Sequence, residues 1–200
     1  MVQFSNRRSK RADARRVGIL AAAARVFRER GFAAAGMREI AVAADLSPGN
    51  LYHYFRGKDE LLFFCQDRAA DRLLAALAEA RRGPDPLLDR LRRLAVAHVL
   101  CLVDEVEGSA AHFEVGALPR RLRALIIAKR DRYERGVRAL ISTASGGGAE
   151  SAVATRAFLG ALNWTVHWFR PDGEDTPQQV ADVVSAYAVA GLIPAELSTK

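Results

Sequence analysis

His98, Cys101, Asp104, Glu105 and His112 are all of metal-ligand type, and His98 and Cys101 stand one helical turn apart. No Cys-x-x-Cys or His-Glu-x-x-His pattern accompanies them, and a pair of such residues with nearby carboxylates recurs by chance in helices. The preferred reading is a pocket histidine beside a buried thiol, with no metal. Ser109, His112 and Glu114 could supply a nucleophile, a base and an orienting carboxylate. No Gly-x-Ser-x-Gly elbow is present, and residues this close on one helix do not form a triad. Gly146-Gly147-Gly148 lacks the preceding strand and following Lys of a phosphate-cradling loop. These absences point away from an enzyme, and no cofactor is expected.

Residues 36–55, GMREIAVAADLSPGNLYHYF, carry a different chemistry. Two short helices joined by a tight turn make the helix-turn-helix plan, in which the second helix enters the major groove. Ile40, Ala41, Leu46, Leu51 and Phe55 can bury one side. Ser47, Gly49, Asn50, Tyr52 and His53 are left for nucleic acid. Gly49 permits close approach of backbone to phosphate. Lys58 opens the next helix, where its charge and the free N–H groups can meet phosphate.

The charge distribution agrees. Residues 1–60 hold 12 Lys+Arg and 6 Asp+Glu, a net of +6, whereas residues 61–200 hold 18 and 17, a net of +1. A basic segment joined to a near-neutral one reads as a polyanion-binding module attached to something else. The simpler alternative is a solvated basic tail, since five of those cations lie between Arg7 and Arg15. The composition, 50% hydrophobic and 26% charged, excludes disorder and a membrane protein. No apolar run approaches the roughly 20 residues of a spanning helix. Arg15-Arg16 reads as part of an amphipathic helix and not an export signal, because apolar residues return at Phe27 and Phe32. A cytoplasmic protein without a membrane partner is expected. Cys65 and Cys101 are too few for a disulfide framework.

The elements that position these residues are helices throughout; strand signals are nearly absent. The first helix is expected from about Ala12 to Arg30, with Ile19, Leu20, Ala23, Val26 and Phe27 inward and Gly31 as its stop. Met37–Ala44 and Pro48–Tyr54 follow, joined at Asp45, a residue type that tolerates left-handed φ. Ser47 is a good N-cap and Pro48 fits the first helical position. Longer helices are expected over Lys58–Arg82, Leu87–Glu107, Pro119–Ser142, Ala149–Phe169 and Pro177–Gly191, with a short one at Ser109–Gly116. Gly83-Pro84-Asp85-Pro86, Ser145–Gly148 and Arg170-Pro171-Asp172-Gly173 break them.

The run Leu46-Ser47-Pro48-Gly49-Asn50-Leu51-Tyr52-His53-Tyr54-Phe55 followed by Lys58, with Gly31-Phe32 and Met37-Arg38-Glu39-Ile40-Ala41 before it, resembles the TetR family of bacterial transcriptional regulators. The resemblance covers about Asp13 to Leu73. It implies an all-α homodimer whose three N-terminal helices bind double-stranded DNA at a palindromic operator, and whose C-terminal helices form a ligand pocket and dimer interface. The DNA-binding residues it implies are Gly36, Arg38, Ser47, Pro48, Gly49, Asn50, Tyr52, His53 and Lys58. Tyr52 and His53 look like the phosphate- and base-contacting pair, and Lys58 like the phosphate-contacting lysine. Where the family usually caps its second helix with Thr, this chain has Gly36. That removes a hydroxyl contact and shifts weight to the basic arm.

The domain reading is a DNA-binding domain over 1–57 with a basic arm over 1–12, a ligand-binding and dimerisation domain over 58–192, and a tail over 193–200. Gly160-Ala161-Leu162-Asn163-Trp164, His167–Gly173 and Thr176-Pro177 resemble the regulators of fatty-acid and sterol catabolism, several of which respond to acyl-CoA thioesters. Leu73, His98, Cys101, Leu102, His112, Phe113, Trp164 and His167 are the expected ligand-binding residues. The ligand is then a small hydrophobic molecule such as an acyl-CoA, whose phosphates Arg120–Arg132 could meet. A solvated helix face is the preferred reading of that cluster. Trp168 and Phe169 are assigned to the dimer interface or the turn. The expected dimer surface comprises Val153, Ala157, Leu159, Gly160 and Ala161 on one helix and Val180, Val183, Val184, Tyr187 and Ala190 on the next. The function read from all this is a repressor released from its operator by such a ligand. A regulator without ligand, or a helical carrier or enzyme, are the alternatives.

Overall fold

The computed structural model describes residues 2–103, 114–144 and 150–192, with residues 2–13, 28, 114 and 144 described by backbone alone. Among these residues the chain is a succession of helices with no strand. The first is α1 (Val2–Ala34), then α2 (Met37–Ala43), α3 (Pro48–Tyr54), α4 (Lys58–Arg82) and α5 (Leu87–Val103). A 3₁₀ turn (Glu114–Ala117) precedes α6 (Arg120–Ala144), α7 (Glu150–Trp168) and α8 (Pro177–Ala190). No helix here is long and apolar enough to cross a membrane.

The helix starts follow local chemistry. Ser47 has extended backbone and its Oγ accepts from the Asn50 N–H at 3.2 Å, with Pro48 at the first helical position. Thr176 and Gln179 form a reciprocal capping box before α8, again with Pro next. One start differs from expectation. No Gly or Pro interrupts residues 2–11, so α1 begins at Val2 and the expected basic arm continues the helix. Gly31 ends its regular course with φ 76, a conformation that glycine adopts without strain.

The chain forms two compact units. The first takes its described residues from 2–68 and 114–123, the second from 69–103, 124–144 and 150–192. Thus α4 and α6 each contribute to both. The first unit buries Ile19, Leu20, Ala23, Val26 and Phe27 of α1 with Ile40, Ala41, Leu51, Phe55 and Leu62. Phe55 meets Phe64 edge-on at 5.6 Å, and the Arg16 guanidinium lies over both rings. In the second unit, α5 packs on α7 and α8 around Leu91, Leu94, Val99, Phe158, Leu162 and Ala181. Gly136 of α6 lies so near α4 that a Cβ there would fall 2.3 Å from Leu77 Cδ2.

Candidate nucleic-acid interface and effector site

The first unit presents α3 with one side buried and the other open. Leu51 and Phe55 anchor it in the core. Ser47, Pro48, Gly49, Asn50, Tyr52 and His53 are exposed together, Tyr52 by 51% of its surface. Six of the expected DNA-binding residues therefore share one solvent face. Leu46, expected inside, is half-buried. Arg38 is exposed on α2. Gly36 is the N-cap of α2, and its N–H donates to Glu39 Oε2 at 3.0 Å. Glu39 in turn pairs with Arg30 at 2.6 Å. The missing hydroxyl thus leaves the helix start only partly capped.

Lys58, at the start of α4, already has partners within the protein. Its Nζ donates to the carbonyl oxygens of Phe32 at 2.7 Å and Ala33 at 3.0 Å, and lies 4.7 Å from the centre of the Phe32 ring. The ammonium closes the last turn of α1, where the helix end concentrates negative partial charge. The residues that sequence reasoning missed are Arg15 and Arg25. Arg25 Nη2 donates to Ala43 O at 3.0 Å and Arg15 Nη2 to Asp45 O at 3.5 Å. The first partner ends α2 and the second lies in the turn between α2 and α3, both far away in sequence.

In the second unit, Leu73, His98, Cys101 and Leu102 are buried. His98 Nδ1 is 2.9 Å from the Tyr133 hydroxyl and Nε2 is 3.1 Å from Asn163 Oδ1. An amide oxygen only accepts, so the neutral ring carries its proton on Nε2 and the Tyr133 O–H donates to Nδ1. Burial lowers the His98 pKa to about 4 against the opposing effect of the Asn163 bond. Burial, helped by Cys101, raises Tyr133 well above its ordinary range. The Cys101 thiol meets Ala69 O at 3.7 Å. His98 and Cys101 are both buried, one turn apart on α5, each with its own partners. Among the described residues no His, Cys, Asp and Glu side chains cluster for a metal. Asp104, Glu105, Ser109, His112 and Phe113 lie outside the described residues.

Trp164 and His167 do not join this group. They stack on each other on the outer face of α7, ring centres 4.2 Å apart, with Trp164 63% exposed. The inward positions of α7 belong to Phe158, Leu162 and Thr165. Val153, Ala157, Gly160, Ala161 and Trp168 share the exposed face, and Val183, Tyr187 and Ala190 are exposed on α8. Val180, expected outside, is buried, because the α8 stripe that packs inward is Val180, Ala181, Ser185 and Val189. Leu159 and Val184 are half-buried. A groove of about 540 Å³ opens between α5 and α8. Asp89, Arg92, Arg93, Val96 and Asp182 line it, a mostly charged set unlike the apolar site expected. Of the Arg120–Arg132 cluster, Lys129 is paired with Asp71 at 2.7 Å, while Arg120, Arg121 and Arg132 are exposed.

Comparison with known proteins agrees with this geometry. Residues 19–63 match the bacterial regulatory proteins of the tetR family, and residues 84–192 match the tetracyclin repressor-like C-terminal domain. The transcriptional activator FasR of Mycolicibacterium smegmatis is 37% identical over 111 residues, which are 54% of this chain and only 51% of FasR. The transcriptional repressor KstR2 of Mycobacterium tuberculosis is 27% identical over 90% of this chain and 94% of its own length. The structure of AibR in complex with isovaleryl coenzyme A and operator DNA superposes with a TM-score of 0.70 at 28% identity, covering 86% of this chain and 97% of AibR. The chain belongs to the tetR family, as a helix-turn-helix DNA-binding transcriptional regulator.

Proposed function

We propose that the chain acts as a homodimeric repressor that reads a palindromic operator with α3 and is released by a large, mostly apolar ligand, with an acyl-CoA as the favoured case. The observation that carries the DNA half is the shared open face of Ser47, Asn50, Tyr52 and His53 above the buried Leu51 and Phe55. A dimer places two such faces about 34–36 Å apart, one turn of the duplex. Gly36, Arg38, Pro48, Gly49 and Lys58 complete the proposed interface. The apolar outer faces of α7 and α8, with Val153 66% and Tyr187 79% exposed, are proposed as the dimer surface. Trp164, His167 and Trp168 go with that surface.

For the ligand, the support is chemical. Leu73, Leu102 and Cys101 are apolar, and His98 is held neutral, so the site suits acyl chain and an uncharged polar group. Each buried methylene contributes about 0.8 kcal/mol. Such a site does not desolvate a multiply charged ion. AibR, which was crystallised with an acyl-CoA and operator together, lends the reading weight. A ligand that favours a different tilt of α4, which belongs partly to each unit, would change the spacing of the two heads. One observation favours the alternative of a regulator without ligand: both ring nitrogens of His98 are already satisfied within the protein. The experiment is operator release measured against acyl-CoAs of increasing chain length. Release that strengthens with length is expected. No release by any of them favours the alternative.

A further inference from the structure

The seven-residue α2 has four C-terminal carbonyls to satisfy, and the turn after it meets only three. The Ala44 N–H reaches Ile40 O at 2.9 Å and Ala41 O at 3.1 Å, Leu46 N–H reaches Ala41 O at 2.9 Å, and Asp45 N–H reaches Val42 O at 3.1 Å. The fourth, Ala43 O, takes its hydrogen bond from Arg25 Nη2 at 3.0 Å. The turn also contains the one described non-glycine residue with positive φ, Asp45 at φ 54, and its carbonyl receives Arg15 Nη2 at 3.5 Å. Two arginines of α1 thus hold the last carbonyl of α2 and, two residues on, a carbonyl of a turn that no glycine relaxes. The next element is α3, which is capped by Ser47 and has Leu51 and its C-cap Phe55 as fully buried anchors.

We infer that Arg25, seconded by Arg15, is a positioning residue for DNA recognition: it fixes the end of α2 and the turn, and through them the aim of α3 at the base edges. The inference rests on the reading of α3 as the base-contacting helix. A cation at a helix C-terminus is favoured on electrostatic grounds as well. Arg25 is exposed, so it fills no core space, and its removal creates no cavity. Base readout needs hydrogen-bond geometry at two or three side chains at once, and a turn free to shift degrades all of them together. Phosphate contacts are more tolerant, because they act as point charges. The two kinds of binding therefore report separately on charge and on aim.

The test uses the full chain and an operator obtained by selection from random duplexes, against a scrambled duplex of equal length at the same salt. Arg25→Met is expected to lower operator affinity about tenfold while affinity for the scrambled duplex changes less than about threefold. Arg25→Lys, which keeps charge and a donor, is expected to recover most of the loss. Hydrogen exchange at the Ala44, Asp45 and Leu46 amides should quicken in Arg25→Met at an unchanged melting temperature. If Arg25→Met unfolds the head, Arg25→Gln in the same pair of titrations decides the matter. Equal losses on both duplexes, or no loss on either, overturn the inference. Full operator affinity in a Tyr52→Ala, His53→Ala double variant overturns the underlying reading of α3 instead, whatever Arg25 does.

Discussion

Lys58 Nζ sits 2.7 Å from Phe32 O, so the first residue of α4 closes the last turn of α1 across 26 positions of sequence. The ammonium is half-buried, with a second carbonyl at 3.0 Å and the Phe32 ring beside it. A lysine held in this way contributes to the stability of the head.

Lys58→Met should therefore destabilise the first unit by about 1–2 kcal/mol, the scale of a charged hydrogen bond discounted for partial exposure. A role only at phosphate would leave the melt unchanged and lower the salt slope of DNA binding by about one. Urea unfolding beside a salt titration of DNA affinity separates the two. The structure leads us to expect a clear fall in stability.

Tyr52→Ala and His53→Ala should each cost about 1–3 kcal/mol of operator affinity if each side chain reaches a base edge. The melting temperature should hardly move, because both residues are exposed. Fluorescence anisotropy with operator and scrambled duplex, on the same preparations used for melting, checks both statements.

Gly36→Thr is expected to strengthen DNA binding. The backbone there, φ −108 and ψ 150, is allowed to any residue, and a Cβ would meet only Glu39 Oε2, at 3.6 Å. The hydroxyl could cap α2 and meet phosphate. Since Gly and Thr differ by only a few tenths of a kcal/mol as caps, stability should change little. Affinity should rise by about threefold on operator and scrambled duplex alike, as one added phosphate contact requires. A gain confined to one duplex would exclude this explanation.

Stability should fall between pH 6.5 and about 4, as His98 does not bind a proton in the fold until about pH 4 but does so near 6.5 when unfolded. The unfolded chain thus holds more protons in that window, and acid favours it. Above 6.5 the ring is neutral in both states and contributes no slope. The loss between pH 7 and pH 4.5 should be about 2–3 kcal/mol from this group. Urea unfolding at both pH values, in the parent and in His98→Gln, should show a smaller pH loss in the variant.

Local chemistry is legible in this sequence and long-range partners are not. Ser47-Pro48, Lys58 and Thr176-Pro177 mark helix starts because a cap acts within four residues, and those starts lie where local chemistry places them. The α3 face followed from the same run, since its apolar spacing is short and clear. The intramolecular partners of Lys58, Arg15 and Arg25 are not legible in the sequence because they lie 26, 30 and 18 residues away. The exposure of Trp164 is not legible in the sequence because α7 is apolar on nearly every side, so its pattern does not set which face turns inward. Val180 has the same cause on α8. The start of α1 at Val2 is not legible either, because a basic stretch without Gly or Pro carries no signal against helix.

The central claim is specific recognition of palindromic duplex DNA by paired α3 helices. The most direct measurement is selection from random duplexes, followed by affinity for the enriched sequence and for each half-site alone. The account predicts one inverted repeat with half-site centres about 10 base pairs, or a whole number of turns, apart. It also predicts operator affinity at least about a thousandfold above that for scrambled duplex, lost on Ala substitution of Tyr52 and His53. Enrichment of no common sequence, or equal affinity for intact operator and isolated half-site, would contradict it.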